Sequence, residues 1–319
     1  MVKYCLINIL LFISPFLLAQ NKPASERSDF EYYKNLNRDE TRLVEYKDND
    51  EVLRLKLAQL DIINKSRKKF RATPLMLDIL ASRVANKMCR EAAENNYISH
   101  WNLAGEKPYQ RYAFAGGYDH VAENAYGEWT SGKYNISDHF ISEMMKSGHE
   151  SFMKEKSPYD GHKKNVITKP HTHVGIGYFI SSNQFRYYEE FIDRYLEFIY
   201  VPSELKVNES GRIIIDTRSS GYLYFMIVYR EKFPQARRSS ELVRTGSYED
   251  YSNEIYLKLP AWDLARYRNE TRYTIPITFT KDGLYYIHLY TDKNENIRST
   301  SLNTSGKSPV SGIVIKVSK

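Results

Sequence analysis

Histidine placement constrains this chain more than any other feature. Seven of its eight histidines (His100, His120, His139, His149, His162, His171 and His173) fall between His100 and His173, and the eighth, His288, stands far downstream. Imidazole is the commonest metal ligand and the usual acid–base group near neutral pH, so the stretch from Asn96 to Tyr178 is where a site is expected. His120, His139, His149 and His171 read as solvated loop residues. His100 and His162 stand inside denser local patterns, Tyr97-Ile98-Ser99-His100 and Gly161-His162-Lys163-Lys164-Asn165.

These patterns belong to an ordered series. Asn64-x-x-Arg67 is followed by Pro74-Leu75, Tyr97-x-Ser99-His100, Gly105 with Pro108 and Arg111, Gly117-Tyr118, Glu123-Asn124, the run Ser157 to Ile167, and Val174-Gly175-x-Gly177. The series resembles the CAP superfamily (cysteine-rich secretory, antigen 5 and pathogenesis-related proteins) in its bacterial form. One departure is visible: the family's Ser-Pro-Gly-His is stretched here to Ser157-Pro158-Tyr159-Asp160-Gly161-His162. The resemblance implies an α/β fold, a three-layer α-β-α sandwich, over residues 51–200. It also implies a surface cleft in which two His and two Glu converge in the order His, Glu, Glu, His. Those positions fall on His100, Glu123, Glu143 and His162. Glu143 is placed by spacing and by the aromatic Phe140 three residues before it, with Glu150 as the competing choice.

Two neutral imidazoles, His100 and His162, can hold zinc or another divalent cation, while carboxylates orient them or take a proton from bound water. Catalytic zinc sites ordinarily have three protein ligands, so two imply a weak, exchangeable ion. Neither Gly-x-Ser-x-Gly nor His-Glu-x-x-His occurs, which gives no support to other hydrolase classes. Ser99 beside His100 is a poor nucleophile candidate, because adjacent residues on a turn rarely face each other.

Met1 to Gln20 reads as a secretory signal: Lys3 opens it, Cys5 to Leu18 is almost wholly apolar, and a polar run follows from Asn21. The apolar run falls short of the ~20 residues a membrane span needs, with an uncleaved anchor as the alternative. No lipidation cysteine ends it. Beyond it only Cys89 remains, which cannot form an internal disulfide and reads as a small buried residue. Residues 21–50 read as a linker or surface helix. Helical periodicity follows over Glu51 to Lys69, from Pro74 to about Asn95, and over Phe140 to Met153. The net charge of +7 is spread along the chain without a dense basic run, which argues against nucleic-acid binding.

From Val201 the pattern becomes short strands: Arg212–Asp216, Tyr222–Tyr229, Glu254–Leu259, Arg272–Phe279, Leu284–Tyr290 and Gly312–Val317, separated by turn residues. Residues 201–319 are thus expected to form an all-β, immunoglobulin-like sandwich. Tyr222, Tyr224, Tyr285 and Tyr290 are either a contact face or ordinary core and edge residues.

Three functions fit this reading. The first is a secreted or periplasmic binding protein whose cleft takes a small ligand (lipid, sterol or peptide) or a weak metal. The second is a metal-assisted peptide or ester hydrolase. The third is a cell-surface recognition protein acting through the β-sandwich.

Overall fold

The computed structural model describes residues 29–249, 251–295 and 301–319; the expected signal at 1–20 lies outside them. The chain runs through α1 (Phe30–Asp39), α2 (Asp50–Lys69), β1 (Met76–Leu77), α3 (Ile79–Glu94), α4 (Pro108–Phe114), β2 (His120–Trp129), α5 (Asp138–Lys154), α6 (Gly161–Ile167), β3 (His173–Ile180) and β4 (Gln184–Asp193). One sheet has the order β1-β3-β4-β2, which leaves β2 at an edge.

Strand alternation sorts β4 into two faces. Phe185, Tyr187 and Phe191 join Leu57, Leu60 and Ile63 of α2 and Met145 and Phe152 of α5 in one core. Tyr188 packs on the other side with Met88 and Cys89 of α3. The result is the expected α-β-α layering. Helix α3 lies unusually close to β3: a Cβ at Gly175 would stand 2.4 Å from the Ala81 Cβ, and one at Gly177 2.4 Å from the Ala85 Cβ. The alternating glycines of the Val-Gly-x-Gly run are therefore a packing requirement.

Two local expectations differ. Helix α3 starts at Ile79 rather than at Pro74, because Met76–Leu77 pairs with β3 and the Asp78 carboxylate caps the helix by accepting from the Ala81 amide at 2.6 Å. The stretch read as a linker or surface helix contains α1, which buries Tyr33 completely and lets its hydroxyl accept from the Leu77 amide.

Beyond β4 come β5 (Glu197–Tyr200), β6 (Glu204–Lys206), β7 (Ser210–Asp216), β8 (Tyr222–Glu231), α7 (Ser239–Leu242), β9 (Glu254–Pro260), α8 (Ala261–Leu264), β10 (Arg268–Asn269), β11 (Arg272–Thr278), β12 (Gly283–Asp292) and β13 (Ile313–Ser318). They form two sheets, β10-β11-β7-β5 and β6-β13-β12-β8-β9. Ile213, Ile215 and Ile275 of the first meet Met226, Tyr285, Ile287 and Ile315 of the second in one core. Tyr285 is thus core rather than a contact face. The opposite side of β12 and β13 is covered as well: Leu284, Tyr286 and Val314 cluster with Tyr109, Tyr112 and Ile192. Tyr109 stacks on Tyr286 at 4.1 Å, and Tyr109 and Gln110 donate to the Glu231 carboxylate at 2.6 and 2.9 Å. Burial on both faces explains why β12 carries large aliphatic and aromatic side chains on both faces from Leu284 to Leu289.

Candidate histidine–carboxylate cleft

Period-two alternation places Glu123 and Asn124 on opposite faces of edge strand β2. Glu123 is in register with Glu190, and Asn124 with Glu189. His100 approaches from the α3 side, where its Nδ1 lies 2.8 Å from Glu123 Oε1. His162 approaches from the α5 side at the start of α6, where Asn124 donates to its carbonyl at 3.0 Å. The two imidazoles meet around the outer edge of β2 with ring centroids 6.3 Å apart.

Each ring is fixed in the same way. His162 Nδ1 lies 2.5 Å from Glu155 Oε1, and the other Glu155 oxygen accepts from the His162 and Lys163 amides at 3.0 and 3.3 Å. Phe152 stacks on the His162 ring at 4.9 Å. Among the described residues no protein group hydrogen-bonds either Nε2. A carboxylate on Nδ1 favours the tautomer that leaves the Nε2 lone pair available.

Arg111 supplies the positive charge beneath His100. It donates to the His100 carbonyl at 2.6 Å, pairs with Glu123 and stands 3.7 Å from Glu190. Burial, helped by the Arg111 charge, pulls His100 down to about 4, so its ring is neutral at physiological pH. Burial would lower Arg111, but Glu123 and Glu190 raise it instead. Two buried carboxylates facing one guanidinium cannot both ionise cheaply. Burial and the neighbouring Glu123 charge push Glu190 well above the carboxylate range, so Glu190 keeps the proton.

The structure brings together His100, Glu123 and His162 but not Glu143. Glu143 lies on the outer face of α5, its side chain 53% exposed and paired with Lys146 at 3.2 Å. Glu150 is also exposed and lies 3.9 Å from Lys154. The carboxylate beside His162 is Glu155, one residue past the end of α5, where the chain bends back toward α6. The only sequence signal for it was its place seven residues before His162.

Of the four histidines read as solvated loop residues, His139 is solvated but lies in the first turn of α5, and the other three are neither solvated nor free of partners. His149 is buried between Glu189 at 2.8 Å and Ser66 at 2.9 Å. His171 and His120 both bind Asp193, at 2.7 and 2.8 Å. Ser99 is 6% exposed, its Oγ accepting from the Trp101 amide.

The cleft also receives a segment from the C-terminal part. Residues 232–249, between β8 and β9, run back over it as a strap. The Arg237 amide donates to the Leu103 carbonyl at 2.8 Å, and the Arg237 guanidinium covers Trp101. Leu242 is completely buried beside Met88, Tyr97 and Trp101. Tyr248 stands with its ring 5.0 Å from His100.

Fold and site together define an α/β domain with a two-histidine, carboxylate-supported cleft. Residues 60–193 match the model of the CAP, or cysteine-rich secretory protein, family, and this part of the chain is a CAP domain. Similar solved structures include an extracellular protein containing an SCP domain from Bacillus anthracis, at 19% identity over 43% of this chain and 39% of that one, with a TM-score of 0.33. Another is an outer surface protein from Borrelia burgdorferi, at 18% identity over 43% of this chain and 92% of that one, with a TM-score of 0.32. The chain thus spans well under half of the Bacillus protein. No curated protein matches it.

Proposed function

We propose that this is a CAP-domain protein of the cell envelope or exterior whose His100–His162 cleft binds a small ligand or a divalent cation weakly. The observation that carries this reading is the pair of imidazoles 6.3 Å apart, each held at Nδ1 by a carboxylate and each with Nε2 unengaged by protein. The donor set suits zinc, with His100 and His162 as the two protein ligands. Among the described residues no group of three or more His, Cys, Asp or Glu could hold an ion, and two ligands support a weak, exchangeable site. A bound cation would supply Lewis acidity; the chain's own part is to present neutral imidazoles and keep Glu123 tied to Arg111.

Secretion is part of the proposal. It is supported by the signal-like residues 1–20 and by the secretory family matched, and no helix among the described residues is long and apolar enough to cross a membrane. A division near residue 200 into the CAP domain and an immunoglobulin-like accessory domain is supported by the two C-terminal sheets sharing one core.

The test is zinc titration by calorimetry on the full chain. Saturable binding is expected, weakened at least tenfold in His100→Ala and in His162→Ala. Absence of binding in the wild type removes the cation from the reading, and wild-type affinity retained in either variant overturns the assignment of His100 and His162 as its ligands.

A further inference from the structure

One side chain anchors the strap that crosses the cleft. Of residues 232–249 only Leu242 is buried, at 0% exposure, and its neighbours Glu241 and Val243 stand in solvent. Leu242 fills a pocket among Met88, Tyr97 and Trp101, beside the candidate site. The other holds are few and local. The Arg237 amide donates to the Leu103 carbonyl at 2.8 Å, and the Arg237 guanidinium lies 5.4 Å from the Trp101 ring. The Gln235 carbonyl comes so close to Gly105 that a Cβ there would stand 2.2 Å from it. Further along, the Tyr248 ring lies 5.0 Å from His100. The Arg238–Glu241 ion pair is internal to the strap.

These are the contacts of a bound peptide. Grooves that read polypeptides take a main-chain hydrogen bond for affinity and a pocket for one side chain for specificity. Lifting the strap would uncover the Leu103 carbonyl as a main-chain acceptor and a pocket the size of one aliphatic side chain. Both features suit a polypeptide better than a lipid chain. The groove also continues past the strap, as a cavity of about 510 Å³ running from Trp101 and Gly105 along Phe233, Arg237 and Tyr251. A segment that exposes all but one of its residues is drawn from the low-stability end of a fold and can open without unfolding the rest.

We propose that the strap is a self-ligand: it occupies a peptide groove beside His100, from which a peptide of matching chemistry displaces it. That chemistry is an aliphatic residue five positions after an arginine and six before a tyrosine, the spacing of Arg237, Leu242 and Tyr248. The proposal rests on the reading of the cleft as a ligand site and names the ligand as a peptide. Because β8 and β9 hold both ends of the strap, its effective concentration in the groove is on the order of millimolar, so the groove stays closed to weaker competitors.

The experiment is fluorescence anisotropy with a labelled synthetic peptide of residues 235–249, on the full chain and without zinc. Leu242→Asp puts a charge where the pocket is apolar and is expected to release the strap, seen as faster tryptic cleavage after Arg238, whose side chain is already 82% exposed, and after Arg244. The peptide is expected to bind this variant saturably and at least about tenfold more tightly than wild type, since the tethered strap no longer competes. The peptide carrying Leu242→Asp is expected not to bind. Absence of binding to a folded, strap-released variant overturns the proposal, as does equal binding to wild type and variant, or retained binding of the altered peptide. Unchanged tryptic cleavage in the variant overturns the anchoring role of Leu242. Should Leu242→Asp not fold, wild type nicked by trypsin after Arg238 and Arg244 takes its place: nicking removes the anchor, and peptide binding or its absence decides. Failure here with saturable zinc binding intact leaves the cleft reading standing and removes only the peptide.

Discussion

The Tyr248 hydroxyl accepts a hydrogen bond from the Glu123 backbone amide at 3.2 Å, and its ring lies 5.0 Å from His100. An edge-strand amide of the CAP sheet is thus satisfied by a residue 125 positions further along the chain, between β8 and β9, and the same ring covers one side of the candidate site.

The strap governs access to His100. The His100 side chain is 16% exposed against 34% for His162. In diethyl pyrocarbonate labelling read by mass spectrometry, His100 is expected to react more slowly than His162. Tyr248→Ala should accelerate His100 several-fold and leave His162 unchanged, while Tyr248→Phe stays near wild type. An unchanged His100 rate in a folded Tyr248→Ala protein would count against a covering role.

Glu190 and Arg111 should respond in opposite senses. Removing Arg111 leaves buried carboxylate charge without its partner, so Arg111→Met is expected to cost about 3–5 kcal/mol in chemical denaturation. Glu190 holds a proton in the fold that it releases when unfolded. Its raised pKa therefore costs stability as pH climbs above the ordinary glutamate value of about 4.3, and the cost grows until its folded pKa is reached. Glu190→Gln removes this penalty. The variant should equal or exceed wild-type stability at pH 7, with the difference shrinking toward pH 4; a loss at pH 7 that persists at pH 4 would contradict the assignment.

Glu143 on α5 and Glu155 just after it separate cleanly. Glu155→Gln loosens the His162 ring and should weaken zinc binding about 10–100-fold, the usual effect of losing a carboxylate behind a ligating histidine. Glu143→Gln changes only an exposed pair with Lys146 and should leave the titration unaltered. The reverse order would restore Glu143 to the site.

Gly175→Ala tests the close approach of α3 to β3. The added methyl would meet Ala81 and Ser82 backbone atoms at 2.5 and 2.7 Å, which the helix can relieve only by moving. A loss of about 1–3 kcal/mol is expected from overpacking, seen as a lowered Tm.

Where local chemistry decides, sequence and structure agree. The apolar stripe read over Glu51 to Lys69 is α2, ending at Lys69. The six strand runs after residue 201 correspond to β7, β8, β9, β11, β12 and β13. Asn64 and Arg67, legible as a motif, prove to be pins: Asn64 bonds both the amide and the carbonyl of Leu75, and Arg67 donates to the carbonyls of Thr73, Val166, Thr168 and His171. Disagreements arise where two segments compete for the same residues. Leu77 carries helical spacing, yet the backbone of Met76 and Leu77 pairs with β3, and no local propensity reveals that partner.

The histidine-rich segment, its ordered motifs and the two-part succession of helices and strands could all be read along the chain, because periodicity and turn chemistry are local. The partners of those histidines could not. Glu123 meets Glu190 only once β2 and β4 are in register, since a shift of one residue would exchange Glu190 for Glu189 and move the buried charge to the other face. His100 and His162 meet only because the chain passes around both faces of an edge strand. Glu155 displaces Glu143 because α5 exposes one and the turn after it folds the other inward. Tyr248 reaches Glu123 because the C-terminal sheet docks on the CAP layers, a packing decided by long-range burial.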